Sequence, residues 1–135
     1  MQFDHFTQKA SEALQAAAQN SQSMGHQQVQ PIHLLDSLIA SEESLVPSLL
    51  QKLNANPALV RADVQQQLKG LPRVGSAEGK IYLSTALSQA LDAAKKEADR
   101  LKDEYVACEH LLLAILNQKN DPAGKLLAAR GLTQE

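Results

Sequence analysis

Histidine, cysteine and acidic side chains close together are where a sequence most readily does chemistry, and this chain offers two such places. His33 leads Leu34-Leu35, and 77 residues later His110 leads Leu111-Leu112, with Cys108 and Glu109 directly ahead of it. A thiolate, a carboxylate and an imidazole are donors that a zinc ion would accept. Adjacent residues on a helix point in different directions, however, and no further ligands stand at a metal-binding spacing. Neither histidine has a Ser or Cys nucleophile with an acidic orienter at a recognisable distance, so acyl transfer has no support. The alternative is a histidine in the first turn of a helix that satisfies a neighbouring backbone group. Its occurrence in both places favours that role, because a residue kept in both copies of a unit serves the unit's packing. No catalytic residue and no metal site are expected.

Two other stretches invite a chemical reading. Gly75-Ser76-Ala77-Glu78-Gly79-Lys80-Ile81 has the composition of a phosphate loop. That loop needs four residues between its glycines and a Ser or Thr after the Lys, and both requirements fail. The run Lys95-Lys96-Glu97, Asp99-Arg100, Lys102-Asp103-Glu104 alternates in sign opposite a Leu and Ala face, which is an ordinary solvated helix side.

The spacing of the histidines extends to the elements that must hold them. The same offset pairs Ser11 with Ser88, Ala13 with Ala90, Leu14 with Leu91, Ala17 with Ala94, Val29 with Val106, and Leu49-Leu50 with Leu126-Leu127. A register kept without a gap from Thr7 to Leu132 means that one multi-helix unit was duplicated and that its copies pack together. In the first copy, Thr7 opens a helix striped by Ala10, Ala13, Leu14, Ala17 and Ala18 that stops near Met24-Gly25. Pro31 opens a second, with Leu34, Leu35, Leu38 and Ile39 inward. Ser44 caps a third carrying Val46, Leu49, Leu50 and Leu53, and Asn56-Pro57 starts a fourth with Val60, Val64 and Leu68. In the second copy, Ser84 caps a helix running to Leu101, Cys108–Leu116 matches the second helix, and Asp121-Pro122 opens the third, which runs to Arg130-Gly131. The fold class is therefore all-α, with residues 1–69 and 84–135 as two pseudo-twofold-related repeats of about four helices, residues 70–83 as their linker, and almost no strand. The counterpart of Asn56 is Thr133, so the last helix is expected to be truncated and the chain to be the front of a longer polypeptide.

Composition narrows the function. With 135 residues, 3% aromatics and no Trp, the core must be made mainly of Leu, Ala, Val and Ile, in one domain or two halves sharing a core. A net charge of −2, with signs interspersed, provides no basic field for nucleic acid or an anionic membrane. No stretch approaches a membrane span, the lone Cys108 fits a reducing compartment, and a cytoplasmic location is expected.

Several segments together resemble the N-terminal domain of the Clp family of AAA+ unfoldases, and the ClpB disaggregase type best. They are Phe6-Thr7-Gln8-Lys9-Ala10, Pro31-Ile32-His33-Leu34-Leu35, Tyr105-Val106, Glu109-His110-Leu111-Leu112-Leu113-Ala114, the connector Leu71-Pro72-Arg73-Val74, and Tyr82-Leu83-Ser84. The resemblance implies a helical domain that binds exposed apolar segments of unfolded or aggregated proteins. ATP and magnesium would act in modules outside this sequence, in a homohexamer working with a DnaK-type chaperone system, while this fragment alone is monomeric and needs no cofactor. It also implies a polar substrate-binding group at Thr7, Asp103 and Glu109, beside a groove whose neighbours fall near Ala93, Glu97 and His110. Those groove positions are less apolar than the family pattern. Each polar residue also has a plain account: Thr7 as a helix N-cap, Glu109 as a first-turn acid, Asp103 as a turn residue whose truncation changes stability by about 0.5 kcal/mol or less. The alternative function is adaptor docking to a protease-coupled unfoldase of the ClpA or ClpC type. A stand-alone enzyme is disfavoured because nucleophile, base and orienter are missing.

Overall fold

The computed structural model describes residues 6–26, 28–40, 45–71 and 82–132. Within them the chain forms α1 (Gln8–Ser23), β1 (Gln28–Val29), α2 (Pro31–Ala40), α3 (Val46–Lys52), α4 (Pro57–Lys69), β2 (Tyr82–Leu83), α5 (Thr85–Arg100), α6 (Cys108–Leu116) and α7 (Pro122–Ala129). It is an all-α fold with two strands of two residues each. Gly75–Lys80 and the start of an eighth helix at Thr133 lie outside the described residues.

Helix starts follow from side chains that accept the orphan amides of a first turn. The Thr7 hydroxyl accepts from the Ala10 amide at 3.2 Å, Ser84 from Leu87 at 3.0 Å, Asn56 from Ala58 at 2.9 Å and Asp121 from Ala123 at 3.0 Å. Ser44 lies outside the described residues, and α3 begins behind Leu45 without a side-chain cap.

Helix ends repeat as faithfully. Gly25 and its counterpart Lys102 have φ of 74° and 60°, and Asn54 and its counterpart Gly131 have 65° and 84°. Each pair ends a helix in a left-handed residue, so the next amide bonds back into the last turn, as His26 does to Ser21 at 2.9 Å and Asp103 to Ala98 at 2.8 Å. Lys102 adopts a conformation that suits glycine better.

These matched ends aim α2 into the centre. Pro31 through Ile39 are all buried, and α2 packs on each of the other six helices. Its polar residues are all provided for: the Ser37 hydroxyl donates to the Ala13 carbonyl of α1 at 2.8 Å, and the Asp36 carboxylate accepts from the Gln65 side chain of α4 at 2.8 Å. On the second half, α7 comes so close to the turn before it that a Cβ on Gly124 would lie 2.0 Å from the Gln118 carbonyl oxygen. Arg130, at the end of α7, then forks onto Asp63 of α4 at 2.6 and 3.0 Å.

The halves are joined by a reciprocal exchange. The Thr7 amide donates to the Val106 carbonyl, and the Ser84 amide donates to the Val29 carbonyl, both at 2.9 Å. Thr7 and Ser84 are counterparts, as are Val29 and Val106. β1 and β2 are therefore parallel, with Val29 opposite Leu83, and Phe6 bridges Val106 in the same sense. Tyr82 and Leu83, at the end of the stretch expected as linker, form β2, because this exchange uses the residues just before each N-cap.

Two measurements check the packing. Leu35→Ala and Leu112→Ala, which empty equivalent buried positions, should each lower unfolding stability by on the order of 2–5 kcal/mol in urea titrations. Lys102→Gly should raise it by about 1 kcal/mol by relieving the left-handed turn.

Candidate functional site

The two first-turn histidines organise the polar residues of both halves. The Gln30 amide donates to Nδ1 of His33 at 2.9 Å, and the Ala107 amide donates to Nδ1 of His110 at 2.8 Å. This is the reach-back half of a capping box, with imidazole in place of the usual Glu or Gln. An Nδ1 that accepts cannot carry a proton, so each neutral ring holds its proton on Nε2. In the first half that Nε2 faces Nδ1 of His26 at 2.8 Å; in the second it faces Oδ2 of Asp103 at 2.9 Å. His26 and Asp103 are counterparts, each placed by the left-handed residue before it. The structural role expected of His33 and His110 is thus observed in both copies.

The electrostatics of the copies differ. His33 is buried against a second imidazole, with ring centres 5.0 Å apart. Burial first, and His26 second, push its pKa down to about 4. Around His110 the neighbours are acids, Asp103 and, on α5, Glu97, whose carboxyl is held below its usual range chiefly by its hydrogen bonds to Arg100. Among the described residues no group of three His, Cys, Asp or Glu side chains is arranged to hold a metal ion.

The residues expected to engage substrate lie about one junction. Thr7 is fastened to Val106 through its amide, Asp103 stands three residues before Val106, and Glu109 stands three after it in the first turn of α6. The Asp103 side chain is 48% exposed while one of its oxygens serves His110. Glu109 is half-buried and Ala93 exposed, whereas His110 is buried with both ring nitrogens engaged. His110 therefore supports Asp103 from beneath and does not present its ring as a groove wall. Leu101 and Tyr105, each 48% exposed on either side of Asp103, are apolar surface that the sequence patterns did not single out. Elsewhere, an open cleft of about 560 Å³ between the start of α5 and the α6–α7 turn is lined by Ala86, Gln89 and Asn117 to Asp121, none of them among the expected site residues.

Residues 5–130 match the family described as the Clp repeat (R) N-terminal domain. The chain belongs to this family. The Clp N-domain described here is ClpB-like, being 33% identical to the chaperone protein ClpB of Rhodopseudomonas palustris over 136 residues, which take in all of this chain and 16% of that protein. It is 36% identical to the chaperone protein ClpB of Bacillus anthracis over 124 residues, 90% of this chain and 14% of that one. The chain thus spans only 14–16% of the length of these relatives. Against the Hsp104 N-terminal domain from Candida albicans the TM-score is 0.86 at 23% identity, with 96% of this chain and 84% of that one covered, a likeness that shows the fold.

The bond to His110 alters what a change at Asp103 of this Clp N-domain should do. Asp103→Ala strips the buried Nε2–H of its acceptor, so it should lower stability by about 1–3 kcal/mol and not by the few tenths of a solvated charge. Asp103→Asn, which keeps an acceptor oxygen, should retain most of that stability when the two urea midpoints are compared.

Proposed function

We propose that this Clp N-domain is the substrate-engaging part of an ATP-dependent protein disaggregase. On this reading it holds exposed apolar segments of unfolded or aggregated proteins at the junction of Thr7, Asp103 and Glu109. The observation that carries the reading is the Thr7–Val106 hydrogen bond, which draws the start of α1 to the α5–α6 turn, where the two acids lie. Chemically the junction suits an extended chain. Carboxylate oxygens accept backbone amides or a basic flank, and Leu101 and Tyr105 supply apolar surface beside them. Ala93 and Glu97 would border the same strip on α5, with His110 acting through Asp103.

Such a site binds weakly and promiscuously, as capture before transfer requires. ATP and magnesium would be used by modules outside this chain, in a homohexamer in the cytoplasm that cooperates with a DnaK-type chaperone system. The domain by itself would be a monomer without enzymatic activity.

The test uses full-length protein carrying Asp103→Asn and Glu109→Gln, which remove charge while keeping the shapes. Loss of two charge-assisted hydrogen bonds should weaken capture of an unfolded protein at least about tenfold and slow aggregate reactivation, with domain stability changed by about 0.5 kcal/mol or less. Unchanged capture and reactivation in the double variant would remove these residues from the site. A single tight, specific protein partner in place of promiscuous capture would favour adaptor docking.

A further inference from the structure

The paired helices α5 and α6 carry polar groups at both ends, and the site proposed above uses one of them. We propose that the cleft at the other end is a second peptide subsite, in which the Gln118 side chain pairs with the main chain of an extended polypeptide. The inference rests on the reading of Thr7, Asp103 and Glu109 as a substrate junction and lengthens that site along α5.

Gln118 is fixed at its main chain and incompletely matched at its side chain. Its amide donates to the Ile115 carbonyl and its carbonyl accepts from the Asp121 amide, both at 3.1 Å. A Cβ on Gly124 would lie 2.0 Å from that same carbonyl oxygen, so α7 packs tightly on the turn. At the side chain, Nε2 donates to the Ala86 carbonyl at 2.7 Å, which sets the orientation of the amide, because an oxygen there would meet another acceptor. Oε1 is then buried with no hydrogen-bond partner among the described residues. A buried acceptor without a donor is destabilising, whereas the Ala86 carbonyl lies within α5 and is served by the helix's own ladder. The carboxamide therefore gains by turning from Ala86 to a partner that offers it both a donor and an acceptor.

One residue of an extended chain is such a partner. Its N–H and C=O point to the same side, so a carboxamide can accept from the first at Oε1 and donate to the second from Nε2. The rest of the cleft suits the same ligand. Gln89, Asn117 and Asn120 add three further carboxamides, and the two charged residues, Lys119 and Asp121, are of opposite sign. A lining that donates and accepts without net charge fits main chain better than an ionic or apolar ligand. It is also particular to the second half: the counterparts of Gln89, Asn117, Gln118 and Asn120 are Glu12, Ala40, Ser41 and Glu43.

Two rows of residues lead from the cleft to the junction. On α5, Ala86, Gln89, Ala93 and Glu97 recur at steps of three and four, with Gln89 and Ala93 exposed. On α6 and its cap, Glu109, Leu113 and Asn117 recur at steps of four, the first two half-buried and the third exposed. The helices pack in opposite directions, since Ala86 meets Gln118 just past the end of α6 while Glu97 stands near His110 in its first turn. From Ala86 to Arg100 the helix rises about 21 Å, which an extended chain covers in roughly six or seven residues. Shorter segments reach one end only.

The experiment titrates this chain with two peptides and reads backbone and side-chain amide shifts by NMR. The longer has nine residues, Arg-Leu followed by seven that alternate Ala and Ser; the shorter is its first four residues. The expected result is that the shorter peptide shifts amides about Asp103 and Glu109 alone, whereas the longer also moves the Gln118 side-chain amide and binds about tenfold more tightly, as two added hydrogen bonds require. N-methylation of the last four residues of the longer peptide removes N–H donors and keeps the side chains, so it should abolish the gain on the unmodified chain. Gln118→Met should abolish it too. Equal affinities with an unmoved Gln118 amide would overturn the cleft and leave the junction standing. Shifts at Gln118 and an affinity for the longer peptide that both survive Asp103→Asn with Glu109→Gln would uphold the cleft and overturn the junction, and binding of neither peptide would overturn both.

Discussion

The amide of each half's first N-cap donates to a valine carbonyl of the other half, and the remaining architecture is organised around that exchange. Because the donors and acceptors are counterparts, the contact is self-complementary, like the isologous interface of a twofold dimer drawn into one chain. It sets the parallel sense of β1 and β2, puts Val29 and Val106 at 1% exposure, and places the start of α1 beside the α5–α6 turn. Without it, Thr7 would cap a helix and nothing more. With it, Thr7 stands at a junction flanked by two acids from the opposite half.

The halves then diverge where the duplication is no longer symmetric. Asp36 on α2 is buried at 3% exposure and bound to Gln65, whereas its counterpart on α6 is Leu113, which is partly buried. A carboxylate inside the first half is stable because α4 brings an amide and a guanidinium to it. The same helix reaches α7 through the Asp63–Arg130 pair, so α4 belongs to one repeat by sequence and braces both. α2 is correspondingly the more enclosed of the two central helices.

Much of this was legible in the sequence, because caps, stop residues and apolar stripes are local signals. Thr7, Asn56, Ser84 and Asp121 all cap as their residue types dictate, and Cys108–Leu116 is the observed span of α6. The partners of the histidines were not legible. That His26 and Asp103 both reach a ring seven residues onward depends on a left-handed turn at Gly25 and at Lys102, and lysine does not announce such a turn. His26 and Asp103 differ in charge, yet the position does the same bonding work in both halves, and Asp103 keeps only part of its carboxylate for solvent. That Leu101 and Tyr105 are exposed was not legible either, because exposure of single apolar residues leaves no periodic trace.

The cross-half hydrogen bonds also bear on the order in which the molecule can assemble. α1 with α2, and α5 with α6, are neighbours in sequence and can pair as soon as their turns close, at little loop entropy. Thr7 belongs to the first half and Val106 to the second, so their bond, and that of Ser84 with Val29, must wait for the second half. In a chain made from its N-terminus, the first half therefore exists for a time with the carbonyl of Val29 unmatched and the inner side of α2 uncovered. A domain whose halves complete one another carries, during its own synthesis, the unpaired edge and bare apolar face that mark an unfinished fold.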